Sequence, residues 1–553
     1  MVFSEETIGK FLENQANRIG DTDYIIYPDR NLRLTYNDVN EKSDLIAKGL
    51  VSIGIEKGDN VGIWAKNIPE WIIYFMACVK IGAVVVTINI AYTKKELEYM
   101  VKNSDMKALI MDRGFKHNSY IKSINALIPE LKHQKTGNLN LAIEDYPYLK
   151  NIIYMGEEKH RGMCNTYELI SNGENITNEN LEKIKSSIKN TDLVSIQYTS
   201  GTTGSPKGVM LTHRNILNNG YELGHRIKFK ENEKMCFPLP LFHSFGLTLG
   251  MLSTLSCGSS IVMIETFDPL LVLSAISKEK CKYLAGVPTM YIAIMNHPMF
   301  DLYDMSSLEV TLMGGSSVTP ETLKQMIDKF QIKAMVSGYG LTEASPGLIS
   351  TLEGDSFEKL VSTIGTSFKA IEVKVADLNT NEPLTPGEVG ELCCRGYNVM
   401  KGYYKMPDKT DEVIDKDGWL HTGDLVTVDE NGYYSIVGRI KDIIIRGGEN
   451  IYPSEIEALI EGLEGVINAQ IIGVPDKLYG EIPVAFIIKQ DDSDLEEEDV
   501  RDFVDDNLAQ YKVPKHVFFV DEFPINSSGK IIKSQLSKDA EKLIAKKKKQ
   551  RLI

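Results

Sequence analysis

Helix-like stretches alternate with short apolar segments between Leu32 and Asp112, and this alternation constrains the fold more than any other feature. The segments Asp59–Trp64, Ala83–Ile90 and Ala108–Met111 are rich in Val, Ile, Leu and Ala. Short apolar strands separated by helices indicate a largely parallel sheet that is covered by helices. At 553 residues the chain is also long for a single hydrophobic core. We therefore predict an α/β protein with layered subdomains.

The later sequence departs from this pattern. From Gly387 it becomes strand-rich with Gly and Pro turns, as in a small antiparallel sheet or barrel. A fresh α/β pattern follows the charged, glycine-flanked segment Arg439–Asp442. We predict a large N-terminal domain over residues 1–438, which includes a small β-barrel-like subdomain, and a small α+β domain over residues 439–553.

One apolar segment, Trp71–Ile90, is about as long as a membrane span. Lys80 lies at its centre, where a charge costs about 2.5–3.5 kcal/mol on insertion scales. We expect instead a buried helix over Pro69–Val79, followed by a strand over Ala83–Ile90. The polar segment Asn118–Asn190 is expected to be rich in loops. The Lys-rich tail at residues 546–551 is expected to be solvated, with weak electrostatic contact to a membrane as the alternative.

Charge and cysteine content exclude several classes of protein. A net charge of −15 leaves no large basic face for nucleic acid. The seven cysteines form no C-x-x-C pair and have no histidine at ligand spacing, so neither a disulfide framework nor a zinc site is expected. The adjacent Cys393 and Cys394 are expected to be small core residues of a strand. Met1–Thr7 lacks the basic start of a signal peptide, and a reducing cytoplasm fits this chain.

The stretch Tyr198–Gly208 combines hydroxyl side chains, glycines and Lys207. It follows a predicted strand over Asp192–Gln197, and we expect a helix to start within Val209–Asn215. A turn of this kind presents N–H groups, hydroxyls and one positive charge to phosphate oxygens. The Walker pattern fails, because it requires glycine at Pro206 and Ser or Thr at Gly208. An ordinary Gly/Ser-rich surface turn is the alternative for this stretch alone.

Three further motifs follow in order. His243 lies in a turn rich in Pro and Gly, and Gly314-Gly315-Ser316 follows a predicted strand. In the segment Ser337–Glu343 the glycines allow close backbone approach, Tyr339 offers a ring for an adenine, and Glu343 offers a carboxylate for magnesium. Each motif alone is weak evidence, whereas their order and spacing together are strong.

With these motifs, the chain resembles the AMP-forming adenylating superfamily, which includes acyl-CoA synthetases, peptide-synthetase adenylation domains and beetle luciferases. The resemblance extends over essentially the whole chain and is greatest to medium-chain acyl-CoA synthetases. It implies that a carboxylate attacks the α-phosphate of ATP to give acyl-AMP and pyrophosphate, after which the thiol of CoA displaces AMP. ATP, Mg²⁺ and coenzyme A are the implied cofactors.

The resemblance also implies roles for individual residues. The implied catalytic residues are Lys530, Lys207, Glu343, Thr342 and His243, and Thr199 with Glu343 would hold the metal. The implied cofactor-binding residues are Tyr198, Thr199, Ser200, Gly201, Thr202, Thr203, Gly204, Ser205, Pro206, Gly315, Ser316, Gly338, Tyr339, Gly340, Asp424, Arg439, Lys441, Gly447 and Gly448. Asp424 and Arg439 would bind the ribose hydroxyls, while Ser337–Thr342 and Gly314–Ser316 would line the junction of adenine and acyl group.

The C-terminal domain is mobile in such enzymes. Lys530 would bridge the acyl carboxylate and the α-phosphate during adenylation, and rotation would then bring Gly447 and Gly448 beside the pantetheine channel. The hinge position falls on Lys441, with the adjacent Asp442 as the alternative.

Acyl length is predicted from Gly340, where acetate-activating relatives carry a tryptophan that closes the pocket. Without a side chain there, we expect the pocket to extend towards Phe245, Leu247, Val287 and Met313. Each buried CH₂ contributes about 0.8 kcal/mol. Activity is therefore expected to rise to about C6–C10, and long-chain or aromatic acids are the alternatives.

The sequence is also compatible with other functions. A stand-alone adenylation enzyme could load a carrier protein in trans, and a luciferase-like oxygenase would share the first half-reaction. A non-catalytic nucleotide-binding protein is disfavoured, because Lys207, Glu343 and Lys530 are all present. The expected partners are a small carboxylic acid, ATP and CoA, not nucleic acid. The oligomeric state stays open, with a homodimer included.

Overall fold

The computed structural model describes residues 4–199, 206–315, 320–490, 492–524 and 531–550, with side chains to residue 547. The chain divides into two compact units. Unit 1 comprises Met1–Val373 and Cys394–Leu420, and unit 2 comprises Lys374–Cys393 and His421–Ile553. The proposed domain boundary at residues 438 and 439 stays a prediction.

The described residues form short strands in the first half of the chain, and the longest strands, β26 and β27, lie near its end. In chain order they are β1 Asp23–Tyr27, β2 Leu32–Thr35, β3 Asn60–Trp64, β4 Val84–Thr87, β5 Ala108–Met111, β6 Gly114–Phe115, β7 Asn118–Ser119, β8 Asn151–Tyr154, β9 Cys164–Asn165, β10 Leu193–Thr199, β11 Lys207–Thr212, β12 Lys234–Phe237, β13 Ser260–Met263, β14 Tyr283–Gly286, β15 Val310–Gly314, β16 Ala334–Gly340, β17 Gly347–Ser350, β18 Thr366–Ser367, β19 Ile371–Ala376, β20 Gly390–Gly396, β21 Gly402–Tyr403, β22 Leu420–Val428, β23 Tyr434–Arg439, β24 Ile444–Arg446, β25 Glu449–Ile451, β26 Val466–Asp476, β27 Gly480–Lys489 and β28 His516–Phe519.

The α-helices lie between these strands. They are α1 Ile8–Ile19, α2 Tyr36–Ser52, α3 Pro69–Lys80, α4 Lys94–Asn103, α5 Tyr120–Leu127, α6 Thr166–Asn172, α7 Asn178–Ser186, α8 His213–Arg226, α9 Ser253–Cys257, α10 Pro269–Glu279, α11 Pro288–Met295, α12 Pro320–Phe330, α13 Phe357–Ser362, α14 Pro407–Asp411, α15 Pro453–Glu461, α16 Glu497–Asn507 and α17 Lys533–Gln550. A π-helix covers Phe245–Leu252, directly before α9. The Thr7 side chain caps helix α1 by accepting a hydrogen bond from Lys10 N.

Two large, mainly parallel sheets form unit 1. One has nine strands in the order β18-β17-β16-β15-β14-β12-β13-β1-β2, and the other has eight in the order β21-β11-β10-β4-β3-β5-β8-β9. Every residue of β3, β4, β5 and β8 is buried. Uniform burial is typical of parallel strands that helices cover on both faces. The predicted α/β fold is confirmed.

The segment Asn118–Asn190 is more ordered than its polar composition predicts. It contains β8, whose Ile153 pairs in parallel with Ile110 of β5. Leu141 and Leu149, which precede this strand, belong to one hydrophobic cluster with Ile152 of β8. The apolar residues of the segment are too irregularly spaced to show periodicity, although every residue of β8 is buried.

Lys80 ends helix α3 and is almost completely buried. Its Nζ donates to Asp44 Oδ1 at 2.7 Å and to Asn40 O at 2.9 Å. Burial lowers the pKa of Lys80, and the nearby Asp44 carboxylate opposes that effect. The predicted helix is confirmed, whereas the strand after it, β4, is half as long as expected. Within the described residues, no helix has both the length and the apolar character to cross a membrane.

Unit 2 contains a five-stranded sheet in the order β25-β24-β27-β26, with β28 paired to β27. Ile456 of α15 and Val500 of α16 belong to one hydrophobic cluster on this sheet. Leu536 of α17 belongs to a second cluster, with Phe486 of β27. The arrangement confirms the predicted α+β character.

A separate four-stranded sheet has the order β19-β20-β22-β23.

Candidate active site

Four parallel strands of the nine-stranded sheet end at one edge, in the order β16-β15-β14-β12. The segments that leave these ends contain His243 after β12, Val287 after β14 and Gly315 after β15, and Tyr339 lies at the end of β16. Ligands of open α/β sheets bind outside the carboxyl ends of the strands. The fold thus brings together motifs that lie about a hundred residues apart in sequence.

At this edge two glycines, Gly314 and Gly315, lie close to the apolar side chains of Phe245 and Val287. A Cβ added to Gly314 would lie 3.1 Å from Cε1 of Phe245, and one added to Gly315 would lie 3.4 Å from Cγ1 of Val287. Gly315 also has a φ of +95°, which side-chain-bearing residues rarely adopt. Phe245 and Val287 therefore approach the backbone at the end of β15, and an acyl pocket beside them stays a prediction. The other two predicted lining residues, Leu247 and Met313, are buried in the core.

The explanation given for Gly340 is wrong. A Cβ at this position would lie 1.9 Å from the carbonyl oxygen of Pro346 and 2.8 Å from its carbonyl carbon. The strand β16 pairs irregularly with β17 here, because the register shifts between Tyr339 and Gly340. Glycine is required by this close approach of two backbones. The absence of a side chain at Gly340 therefore does not indicate space for an acyl chain. A tryptophan at this position would clash with the Pro346 carbonyl and disrupt the pairing of β16 with β17.

The stretch Tyr198–Gly208, called the phosphate stretch below, connects two strands and not a strand and a helix, so that part of the prediction is wrong. The predicted helix start within Val209–Asn215 is confirmed at His213. Strands β10 and β11 pair antiparallel, with Thr199 opposite Lys207 and Tyr198 opposite Gly208. Helix α8 begins only at His213, after β11 has ended. The stretch therefore joins two strands, and β11 separates it from the N-terminus of α8. The predicted residues Ser200, Gly201, Thr202, Thr203, Gly204 and Ser205 lie outside the described residues.

Lys207 and Glu343 both contact Tyr403. Nζ of Lys207 lies 4.3 Å from the centre of the Tyr403 ring, a cation–π contact. The Tyr403 hydroxyl donates to Glu343 Oε1 at 2.7 Å. Burial raises the pKa of Tyr403, and the Glu343 carboxylate raises it further. The phenol therefore stays a hydrogen-bond donor at neutral pH. Sequence reasoning missed Tyr403, whose only signal is its position in the Gly-Tyr-Tyr run that pairs with β11.

His243 lies on an exposed turn after β12. Its Nδ1 accepts from Phe245 N at 3.2 Å, and the neighbouring Ser244 Oγ lies 3.4 Å from Thr342 Oγ1. Asn67, another residue that the sequence did not reveal, is buried beside this turn. Its Oδ1 accepts from Leu241 N at 2.9 Å, and its Nδ2 donates to the Leu239 carbonyl at 2.7 Å. The two hydrogen bonds of Asn67 hold the segment Leu239–Leu241, which directly precedes the turn with His243.

Tyr198 and Pro206 lie at the two ends of the phosphate stretch. The Tyr198 hydroxyl donates to Asn103 Oδ1 at 2.6 Å, and Tyr99 donates to the Pro206 carbonyl at 2.9 Å. Burial raises the pKa of Tyr198 far above its ordinary value. Both contacts anchor the stretch to helix α4.

Asp424 and Arg439, which belong to unit 2, form an ion pair. They lie opposite each other on the antiparallel strands β22 and β23. The distance between Arg439 Nε and Asp424 Oδ1 is 2.8 Å, and Asp424 is almost buried. Lys441 follows in a 3₁₀ turn over Ile440–Asp442, immediately after β23. Of the remaining predicted residues, Ser316 and Lys530 lie outside the described ranges.

Gly447 and Gly448 form the two-residue turn between β24 and β25 in unit 2. Their φ angles are +62° and +94°. A type I′ hairpin turn requires positive φ at both central positions, which explains the Gly-Gly pair. Gly447 N donates to the Tyr479 carbonyl at 2.8 Å and holds the turn against β27. A Cβ at Gly448 would meet no atom within 4 Å inside the described structure.

No histidine stands at ligand spacing from a cysteine in the sequence, yet the fold brings His421 beside Cys393. His421 Nδ1 lies 3.4 Å from Cys393 Sγ and 2.7 Å from Glu391 Oε2. The separation of 28 residues hid this contact. Strand pairing between β20 and β22 creates it, whereas the sequence search looked only for local spacing. All seven cysteines are unpaired.

Comparison with known proteins identifies the family. The profile described as AMP-binding enzyme matches residues 12–404. The chain belongs to this family. A second profile, the AMP-binding enzyme C-terminal domain, matches residues 455–530. The resemblance inferred from the sequence is confirmed.

Relatives of this AMP-binding enzyme match over nearly its full length. The chain is 43% identical to the putative acyl-CoA synthetase YngI of Bacillus subtilis, covering 96% of each chain. It is 35% identical to the human mitochondrial medium-chain acyl-CoA ligase ACSF2, over 98% of this chain and 88% of that protein. The crystal structure of ATP-bound MatB from Rhodopseudomonas palustris superposes with a TM-score of 0.80 at 26% identity, covering 96% and 98% of the two chains.

Proposed function

We propose that this AMP-binding enzyme activates a medium-chain carboxylic acid with ATP and transfers the acyl group to the thiol of CoA. The first step releases pyrophosphate and the second releases AMP. The observation that carries the proposal is the common contact of Lys207 and Glu343 with Tyr403. One tyrosine thus contacts a cation with its ring and a carboxylate with its hydroxyl. A nucleotide-binding protein without chemistry has no need of both.

The two reactants of the first step are both anionic, so catalysis depends on positive charge and N–H donors near the α-phosphate. In the proposed mechanism Lys207 and the stretch that starts at Thr199 bind the β- and γ-phosphates. Lys530 neutralises charge between the acyl carboxylate and the α-phosphate. Asp424 accepts hydrogen bonds from the ribose hydroxyls, and Arg439 holds the Asp424 carboxylate in place.

Thr199 and Glu343 are the proposed magnesium ligands. Both offer oxygen donors only, which suits a hard cation such as Mg²⁺. The bond from Tyr403 occupies one Glu343 oxygen and leaves the other to face a ligand. Bound magnesium would neutralise charge on the triphosphate.

A medium-chain substrate is supported by Phe245 and Val287 beside the glycines of β15. These apolar side chains lie at the edge of the nine-stranded sheet that also contains His243 and Tyr339. Relatives such as human ACSF2 carry the name medium-chain acyl-CoA ligase.

A panel of acids tests this assignment. The purified enzyme is supplied with ATP, Mg²⁺, CoA and straight-chain acids from acetate to palmitate, together with benzoate, and acyl-CoA is quantified by mass spectrometry. We expect kcat/KM to rise about fourfold per CH₂, from about 0.8 kcal/mol each, to a maximum at about C6–C10. A maximum at acetate, palmitate or benzoate would contradict the medium-chain assignment.

The cytoplasm is the proposed compartment, because seven unpaired cysteines fit a reducing environment. Some relatives are named mitochondrial, so fractionation of the native cells decides this point. A homodimer and weak contact of the Lys-rich tail with membranes stay predictions for sedimentation and vesicle-binding measurements.

A further inference from the structure

Unit 2 contains a compact cluster of three potential metal-binding side chains that the proposed mechanism does not use. Glu391 and Cys393 are two residues apart on β20 and therefore point to the same face, and His421 lies on the neighbouring strand β22. One ligand atom from each side chain, the Glu391 oxygen, the Cys393 sulfur and a His421 ring nitrogen, lies within 4.8 Å of the other two.

The separations inside the cluster suit a small tetrahedral cation. With bonds of about 2.0–2.1 Å to nitrogen and 2.3 Å to sulfur, the tetrahedral edge between them is about 3.6 Å. The observed distance between His421 Nδ1 and Cys393 Sγ is 3.4 Å. Nδ1 lies 2.7 Å from Glu391 Oε2, so a small rotation of the carboxylate opens that edge to about 3.4 Å.

The surroundings already orient these ligands. Oε1 of Glu391 accepts a hydrogen bond from Gly423 N at 2.9 Å, which leaves Oε2 directed at His421. Cys393 is buried, whereas 23% of the His421 side chain is exposed to solvent. The cluster therefore combines fixed ligands with an open side, through which a cation can enter and a water molecule can complete the coordination.

We propose that Glu391, Cys393 and His421 bind one divalent cation of the zinc class. A thiolate, an imidazole and a carboxylate are the ligands that zinc prefers, whereas magnesium prefers oxygen donors alone. On binding, the Cys393 thiol loses its proton to solvent as the sulfur coordinates the cation, and the proton between His421 Nδ1 and Glu391 Oε2 likewise leaves Nδ1 so that this nitrogen can coordinate. No electron transfer is involved. The three ligands are different residues from the magnesium ligands proposed at Thr199 and Glu343, and the proposal does not depend on the proposed reaction.

Cobalt is the probe for this site, because cobalt bound to a thiolate absorbs strongly in the near ultraviolet. The full-length protein is stripped with a chelator and titrated with Co²⁺. We expect a charge-transfer band that saturates at one cobalt per chain and disappears when Zn²⁺ is added. Zn²⁺ should also raise the thermal midpoint of the protein, since it binds the folded form.

Variants assign the band to its ligands. Cys393→Ser should abolish the band, and His421→Asn and Glu391→Gln should each weaken Co²⁺ binding tenfold or more. The control is Cys394→Ser, because the adjacent Cys394 points to the opposite face and accepts a weak contact from Asn398 at 3.8 Å. It should leave the band unchanged. Far-ultraviolet circular dichroism without metal verifies that each variant is folded.

Several results would overturn the proposal. These are the absence of a cobalt band in the wild-type protein, a band that survives Cys393→Ser, and equal loss of the band in Cys394→Ser. The half-buried His421 keeps the test decisive if Cys393→Ser does not fold, because unchanged Co²⁺ affinity in His421→Asn would also overturn it.

Discussion

The hydroxyl of Tyr403 donates a hydrogen bond to Oε1 of Glu343 over 2.7 Å. Tyr403 lies on β21 of the eight-stranded sheet, and Glu343 follows β16 of the nine-stranded sheet. The bond thus joins the two large sheets of unit 1 at the proposed metal ligand. Met400 N reinforces the junction by donating to the Glu343 carbonyl at 2.9 Å.

Replacing this hydroxyl should impair magnesium use. A hydrogen bond to a charged group contributes about 1.5–3 kcal/mol, so Tyr403→Phe should lower kcat/KM for ATP by about tenfold or more. It should also raise the Mg²⁺ concentration needed for half-maximal activity, because Glu343 loses its fixed orientation. Steady-state kinetics across a magnesium series measures both effects.

Tyr404→Phe is the matched control for that change. The Tyr404 hydroxyl lies 3.1 Å from Asp105 Oδ2, and Asn60 Nδ2 donates to it at 3.2 Å, so neither contact involves Glu343. Its magnesium dependence should match the wild type. Equal effects of the two substitutions would show that the Tyr403 bond to Glu343 has no special role.

A bulky residue at the Gly-Gly turn should separate the two half-reactions. Gly447→Trp is expected to block thioester formation while ATP–pyrophosphate exchange persists, because the turn is proposed to line the path of the CoA thiol. Gly447→Asn is the control, since asparagine tolerates positive φ in a type I′ turn. It should retain both half-reactions. Loss of exchange with thioester formation intact would reverse the assignment of this turn.

Lys530→Ala should impair the first half-reaction and spare the second. We expect adenylate formation to fall by several orders of magnitude, while supplied acyl-AMP and CoA still give thioester. Lys533→Ala is the control, because Lys533 Nζ pairs with Glu457 Oε1 at 3.1 Å inside unit 2. That variant should adenylate normally. If Lys530→Ala slowed both half-reactions equally, the proposed movement of the C-terminal domain would be wrong.

The buried His213 should make stability depend on pH. Burial lowers its pKa to about 4, and its Nδ1 accepts from Ile8 N at 3.2 Å. The unfolded chain therefore binds a proton that the folded chain rejects. Stability should fall as pH drops from about 6.5 towards 4, by up to about 3 kcal/mol at about 1.4 kcal/mol per pKa unit.

Urea unfolding at several pH values tests this contribution against His213→Asn. The Asn oxygen can replace Nδ1 as acceptor for Ile8 N but does not titrate in this range. We expect the variant to lose less stability than the wild type between pH 6.5 and 4.5. Parallel losses would indicate that other groups control the acid sensitivity.

The fold was predictable where the local pattern and the packing agree. Strands β3 and β5 are mainly apolar and completely buried, and Pro69 marks the start of α3, so propensity and burial point to the same structure. The segment Val209–Thr212 was ambiguous, because a short apolar run before a capped helix fits either a strand or the first helical turn. Its pairing with β10, a tertiary contact, decides for a strand.

The site was predictable only as far as its motifs are contiguous. Lys207 and Glu343 stand in recognisable motifs, whereas Tyr403 reaches them through strand pairing that leaves no local signal. Gly340 shows the opposite error. Its missing side chain suggested space for a substrate, although the carbonyl of Pro346 occupies that space. A glycine in a motif does not reveal which neighbour requires it.

The products of one reaction test the proposed function most directly. The wild-type enzyme is incubated with ATP, Mg²⁺, octanoate and CoA, and the nucleotides, pyrophosphate and thioester are quantified together by chromatography. We predict AMP, pyrophosphate and octanoyl-CoA in equal amounts, with no thioester when any one substrate is omitted. Formation of ADP and phosphate, or of AMP and pyrophosphate without a CoA thioester, would contradict the account.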